Sequence, residues 1–187
     1  MSLRVISGSA RGRRLKKVPG DSTRPIMDRV KESLFNILRD EVAEARWLDL
    51  FAGTGQVGIE ALSRGASEVV FIDTVRAAIK TIETNLEITK LSENAHIIKS
   101  DAFAYLERTS VLPFDLIYIA PPQYKALWIT ALELVDKRPF DLLTPHGQVV
   151  VQIDPKEAKS LNLKHLILYK SRKYGNTLLN FYELDEV

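Results

Sequence analysis

The stretch Asp49-Leu-Phe-Ala-Gly53-Thr-Gly55-Gln-Val-Gly58 decides the fold. The apolar run Trp47–Phe51 ahead of it predicts a strand, and the residues behind it predict a helix over about Gly58–Arg64. Three glycines between the two let the backbone turn tightly and approach a ligand without Cβ clashes. Taken alone the spacing is also G-x-G-x-x-G, so a dinucleotide-binding reading is open. Asp73 ends the next apolar run at a distance that puts a carboxylate on a ribose hydroxyl in either case. Two features favour S-adenosylmethionine. Asp49 precedes the glycines at the strand end, where a carboxylate can help to hold a cationic methionine portion. Asp101, in Ser100-Asp101-Ala102-Phe103, follows the third strand and can accept from an adenine amine, with Phe103 packing on the ring. Asp101 equally suits a helix N-cap. The candidate cofactor residues are Asp49, Phe51, Gly53, Thr54, Gly55, Gly58, Asp73, Asp101, Ala102 and Phe103.

Outward from this stretch, strands and helices alternate. Strands are predicted at Val69–Ile72, Ala95–Ile98, Leu116–Ile119 and Gln148–Ile153. Helices are predicted over Val75–Glu87, Ala102–Arg108 and Leu127–Lys137. Short β-branched strands separated by helices argue for a parallel sheet covered on both faces. The tail differs: Leu163–Lys170 and Leu178–Leu184 read as two strands around a turn over Ser171–Thr177. The expectation is an α/β fold with a Rossmann-like, doubly wound, mostly parallel seven-stranded sheet and an antiparallel C-terminal hairpin. That order is similar to class I S-adenosylmethionine-dependent methyltransferases. A nucleotide-type ligand then sits beyond the carboxyl ends of the first strands, at the switch point.

Before the sheet, Leu3–Val18 alternates weakly and reads as a short hairpin or extended arm. Pro19, Gly20 and Pro25 break the pattern, and Asp28 is placed to cap a helix running to about Ala45, with Val30, Leu34, Ile37, Leu38 and Val42 on one face. The expected organisation is a basic arm over 1–27 and a methyltransferase-type domain over 28–187. Residues 1–31 hold nine basic side chains against Asp21 and Asp28, a net +7, although the 187-residue chain carries only +2. Such asymmetry suits a polyanion partner or a solvated segment. Arg4, Arg11, Arg13, Arg14, Arg24 and Arg29 are the candidate contacts to a nucleic-acid backbone.

The chain is long enough for one domain with a sizeable core. It has no cysteine, which excludes disulfides and thiolate metal sites. No apolar run approaches the ~20 residues of a membrane span, and the first 15 residues lack a signal-peptide core. A cytoplasmic protein, acting as a monomer, is the expectation. His96, His146 and His165 lack ligand spacing, so no metal is expected. Trp47 and Trp128 read as core.

The residues then resemble the RsmD family of 16S rRNA guanine-N2 methyltransferases over essentially the whole chain. The segments that carry the resemblance are Arg4-Val-Ile-Ser-Gly8, Arg11-Gly12-Arg13, Thr23-Arg24-Pro25 and Asp28-Arg29-Val30-Lys31-Glu32-Ser33-Leu34-Phe35-Asn36. The glycine stretch, Gly58-Ile-Glu60-Ala61, Arg64-Gly65-Ala66 and Tyr174-Gly175-Asn176-Thr177 complete it. The resemblance implies methylation of one guanine in small-subunit ribosomal RNA, free or in an assembling 30S particle. The family's substrate motif, Asp-Pro-Pro-aromatic, falls on Ala120-Pro121-Pro122-Gln123, with Tyr124 one place later. A base amine conjugated to the purine ring is a poor nucleophile, and acceptors for its hydrogens return density to nitrogen and orient its lone pair. Here the carboxylate is replaced by Ala120, while the carbonyls of Ala120 and Pro121 and the amide of Gln123 remain as acceptors and Tyr124 is available to stack. Pro121-Pro122 alone would read as a rigid strand exit. Rival expectations are an adenine-N6 methyltransferase on DNA or RNA, a non-catalytic cofactor- and RNA-binding protein, and, distantly, a nicotinamide dehydrogenase.

Overall fold

The computed structural model describes residues 3–20, 26–108 and 111–185. Seven strands form one sheet: β1 (Arg46–Asp49), β2 (Glu68–Asp73), β3 (Ala95–Lys99), β4 (Phe114–Ile119), β5 (Leu143–Ile153), β6 (Leu166–Tyr174) and β7 (Thr177–Leu184). Their order is β3-β2-β1-β4-β5-β7-β6. The first five are parallel, and β7 runs antiparallel to both β5 and β6. The order reverses between β1 and β4, so their carboxyl ends form the switch-point crevice.

The helices α1 (Asp28–Leu38), α2 (Gln56–Ser63), α3 (Arg76–Thr89), α4 (Ala102–Leu106), α5 (Leu127–Lys137) and α6 (Pro139–Leu142) cover the two faces. α1, α2 and α3 pack on one face with Trp47, Val69, Phe71 and Phe181. α4, α5 and α6 pack on the other with Leu48, Val70, Ile117 and Val149. Alternate residues of each central strand feed opposite cores. This is why the strands read as unbroken apolar runs rather than alternating ones. Both tryptophans are buried, as expected, and Trp47 stacks on Phe35 with centroids 5.5 Å apart.

Residues 3–15 form a tight antiparallel loop in which Arg4 bridges Arg14. Leu3, Val5, Ala10 and Leu15 from it join the α1–α3 core. A buried charge network fastens this loop. Glu60 on α2 accepts from the backbone N–H of Ile6 and Ser7 at 2.8 and 2.9 Å and from Arg64 at 2.8 Å. It also pairs with the Lys31 ammonium at 3.2 Å, both side chains being fully buried. Lys31 in turn donates to the Arg4 carbonyl at 2.6 Å. Gly8 allows the closest approach: a Cβ there would lie 1.7 Å from the Ser63 carbonyl oxygen, and its φ is +81°.

Four local expectations change. α1 stops at Leu38, because Arg39 has φ +46°, and a short 3-10 turn to Val42 follows. Asp28 is the first helical residue and makes no capping bond; its carboxylate faces Arg4 at 2.9 Å instead. β5 starts at Leu143 rather than Gln148, since Leu143 pairs with Phe114 ahead of a register shift. The hairpin turn is two residues, Gly175 and Asn176, because β6 continues through Arg172 and Lys173 to pair Tyr174 with Thr177. Among the described residues no helix is long and apolar enough to cross a membrane.

Candidate active site

A cavity of about 460 Å³ opens at the carboxyl ends of β1, β2 and β4. Asp49, Phe51, Gly53, Thr54 and Asp73 line it at one side, with Asp101, Ala102 and Phe103. Ala120, Pro121, Pro122 and Gln123 line it at the other. Gly55, Gly58 and Tyr124 are not in its wall. Gly58 acts behind it. A Cβ there would come within 2.3 Å of the Phe71 ring, so its absence lets α2 lie on β2. Its N–H donates to Asp49 Oδ2 at 3.2 Å.

Asp49 ends β1 with only 2% of its surface exposed. Burial pushes its carboxyl up to about 7, the negative Asp73 adds to the rise, and the Gly58 N–H opposes it. Asp73 holds the glycine loop: Oδ2 accepts from Gly53 N–H at 2.9 Å and Oδ1 from Val75 N–H at 2.8 Å. Each oxygen retains a second lone pair for a ligand hydroxyl. Asp101 is a helix cap, its Oδ1 accepting from the N–H of Phe103 and Ala104 at 3.0 Å. Asp101 also lines the cavity. Phe51 and Phe103 meet edge to face, 6.3 Å apart.

Several site residues were not singled out from the sequence. Gln56 is buried and lines the cavity, and its Oε1 has no hydrogen-bond partner among the described residues. A buried acceptor left unpaired costs stability, which a ligand donor would relieve. Tyr118 donates to Gln152 Oε1 at 2.6 Å, and both side chains line the cavity beside Ala120. Burial holds the Tyr118 hydroxyl well above its ordinary range, with Asp49 adding to the effect. Gln152 was detectable as the polar residue in Val149-Val-Val-Gln-Ile153. Asn85 on α3 accepts from Lys16 N–H at 2.7 Å and donates to the carbonyls of Lys16 and Thr54 at 3.1 and 2.9 Å. It ties the N-terminal loop directly to the glycine loop.

Tyr124 sits outside the wall with 64% of its surface exposed and φ +61°. Its N–H donates to Glu157 at 2.8 Å and its hydroxyl to Asp154 at 2.7 Å. The exit loop after β4 is thus anchored on the segment that follows β5. Of the arginines, Arg4 pairs with Asp28 while staying exposed, and Arg11, Arg13, Arg14 and Arg29 are exposed as well. Arg24 and the Thr23-Arg24-Pro25 segment lie outside the described residues. The described residues contain no cluster of three or more histidine, cysteine or acidic side chains suited to a metal ion. His165 instead contacts the Asp136 carbonyl at 2.8 Å.

Known proteins resemble this chain along its whole length. A Bacillus subtilis protein, provisionally named an rRNA methyltransferase, is 37% identical over 97% of this chain and 98% of its own length. The Haemophilus influenzae ribosomal RNA small subunit methyltransferase D is 31% identical over 97% of this chain and 93% of its own. A solved Escherichia coli structure, provisionally described as a methyltransferase, superposes with a TM-score of 0.87 at 28% identity and covers 100% of both chains. The family model described as Conserved hypothetical protein 95 matches residues 3–183. The chain belongs to that family, the RsmD family that its sequence segments resemble.

Proposed function

We propose that the protein transfers a methyl group from S-adenosylmethionine to the exocyclic N2 amine of a guanine in small-subunit ribosomal RNA. The observation that carries this reading is one cavity whose walls join Asp49 and Asp73 to Ala120–Gln123. Its volume lies within the usual range for small-molecule sites. The residues fit the cofactor. Asp49 and the unpaired Oε1 of Gln56 are acceptors for a cationic amino-acid end. Asp73 accepts from ribose hydroxyls, and Asp101 with Phe51 and Phe103 suits the adenine. When bound, S-adenosylmethionine would supply the methyl group from its sulfonium and leave as S-adenosylhomocysteine, while the amine gives up one N–H proton to solvent.

The chain's own residues provide positioning and electrostatics. The carbonyls of Ala120 and Pro121 and the amide of Gln123 accept from the target amine and direct its lone pair into the cavity. Tyr124 offers a ring beside Gln123 for stacking on the base, held in place through Asp154 and Glu157. Arg11, Arg13 and Arg14 are exposed on the N-terminal loop, where they can meet phosphates. The name and full-length match of the Haemophilus influenzae relative support the substrate class.

The test is transfer of labelled methyl groups to unmodified small-subunit RNA, 30S particles, large-subunit RNA and duplex DNA offered in parallel. Label confined to small-subunit RNA or particles is expected. A second reading, a cofactor- and RNA-binding protein without catalysis, draws on the methyl side chain of Ala120 where the family motif has a carboxylate. Cofactor binding by calorimetry without transfer to any substrate would favour it.

A further inference from the structure

The segment Tyr174–Thr177 and the strand leading into it have no part in the site described so far. Residues 155–176 carry six basic side chains, Lys156, Lys159, Lys164, Lys170, Arg172 and Lys173, against the single acid Glu157. None of the six forms an ion pair among the described residues. Charges on an edge strand ordinarily guard against aggregation. Such a guard belongs over the apolar stretch that needs it, which is Ile167 and Leu168, 40% and 52% exposed. Arg172 and Lys173 are instead at the other end of β6, next to the turn.

The sheet register says where that end lies. Ile153, the last residue of β5, pairs with Leu178. The β6–β7 turn therefore projects at the carboxyl ends of the parallel strands, where the cavity opens. Gln152, in the cavity wall, pairs with Leu179, and Leu179 pairs with Arg172. Residues paired across strands share a face, so Gln152, Leu179 and Arg172 form one row. Ala120 continues it inward, one step past the Ile119–Val151 pair. With strands ~4.8 Å apart, the Arg172 backbone is about 10 Å from that of Gln152.

The face is also informative. Leu179 belongs to the core shared with the N-terminal loop, and Tyr174 packs against it. The N-terminal loop is fixed to α2 and α3, which cover β1, β2 and β3. β6 is the opposite edge of the sheet. Two basic elements therefore flank the cavity from the two sides.

We propose that Arg172, in the row with Gln152 and Ala120, and Lys173, its neighbour on the opposite face of the β6–β7 hairpin tip, form a second RNA-binding surface that wraps this edge of the sheet. It takes phosphates of the single-stranded segment that carries the target base, on the side of the cavity away from the N-terminal loop. This rests on the reading that the protein acts on RNA. Charge complementarity and continuity with the cavity mouth identify the occupant as nucleic-acid backbone rather than an acidic protein segment.

The experiment measures binding of an in vitro transcribed, unmodified small-subunit rRNA from 50 to 300 mM salt. Wild type, the double variant Arg172→Ala/Lys173→Ala and the control Lys164→Ala at the far end of the hairpin are compared. Single-strand phosphate contacts contribute about 0.7 each to the log–log salt slope. The double variant is expected to lose roughly 1.4 from that slope, with cofactor affinity and melting temperature unchanged, while Lys164→Ala keeps the wild-type slope. An unchanged slope in the double variant overturns the proposal, as does an equal loss in Lys164→Ala, which would mean diffuse charge. Weakened binding to 30S particles with unchanged binding to the transcript would assign the surface to a ribosomal protein instead. A wild type that binds no RNA at all would remove the underlying reading as well as this one.

Discussion

Replacing Asp49 by asparagine should stabilise the empty protein and impair it as a cofactor binder. Asp49 is almost fully enclosed, and its carboxyl sits at about 7 rather than 3.8. A folded-state value above the unfolded one means that protonation favours the fold. That contribution is complete below about pH 4 and is lost as the pH rises through about 7. Above pH 7 the buried carboxylate costs the empty protein about 4 kcal/mol. Asparagine has no charge to desolvate, and its amide oxygen can still accept from the Gly58 N–H. Between pH 5 and pH 8 the advantage of Asp49→Asn over wild type should grow by about 3 kcal/mol. For a chain of this size that is roughly 5–10 °C in melting temperature. Calorimetric unfolding of both proteins without ligand, at pH 5, 6, 7 and 8 and constant ionic strength, measures it. In isothermal titration at pH 8 the same variant should bind S-adenosylmethionine at least ~10-fold more weakly, since a charged acceptor is worth ~1.5–3 kcal/mol. A melting difference that stays constant across the pH range would refute the burial argument. Unchanged cofactor affinity would refute the assignment of Asp49 to the cationic end.

Other consequences are equally open to measurement. Glu60→Ala leaves the Lys31 ammonium buried without its partner and should cost about 3–5 kcal/mol in urea unfolding; a loss below 1 kcal/mol would show that the network is not what fastens the N-terminal loop. Asp73→Ala should weaken cofactor binding about 10-fold or more, with part of the loss coming from release of Gly53, so Asp73→Asn, which can keep one of the backbone bonds, should fall between it and wild type. Tyr124→Phe removes the hydroxyl that donates to Asp154; a several-fold rise in KM for RNA with kcat little changed is expected, and an unaltered KM would mean that the anchor does not position the ring. Ala120→Asp restores the family's carboxylate: faster turnover would mark the wild-type site as a weakened form of that chemistry, and slower turnover would mark a loop reorganised around Gln123.

The parallel sheet is legible because its central strands are buried on both faces and so stand out as short apolar runs between helical stretches. The glycine stretch and Asp73 were legible because the turn and the strand-end carboxylate are local in sequence. Residues whose roles arise from distant partners were not. Asn85 is an unremarkable helix position until Lys16, 69 residues earlier, is seen to bond with it. Asp154 and Glu157 matter through Tyr124, some 30 residues before them. The turn is shorter than the expected Ser171–Thr177 for a physical reason. Arg172 and Lys173 look like loop residues, yet an edge strand accommodates such charges. Asp28 looked like a cap because acids favour helix starts, but its carboxylate faces Arg4, and it supports α1 from the first turn, where negative charge suits the helix dipole.

The most direct test of the account is the chemical identity of the methylated nucleoside. Unmodified 30S particles and small-subunit RNA would be incubated with the protein and methyl-labelled S-adenosylmethionine, the RNA digested to nucleosides, and the labelled product identified by chromatography and mass spectrometry. N2-methylguanosine is expected, at one site per RNA. Label in N6-methyladenosine, or no label in RNA when cofactor is bound, would contradict it.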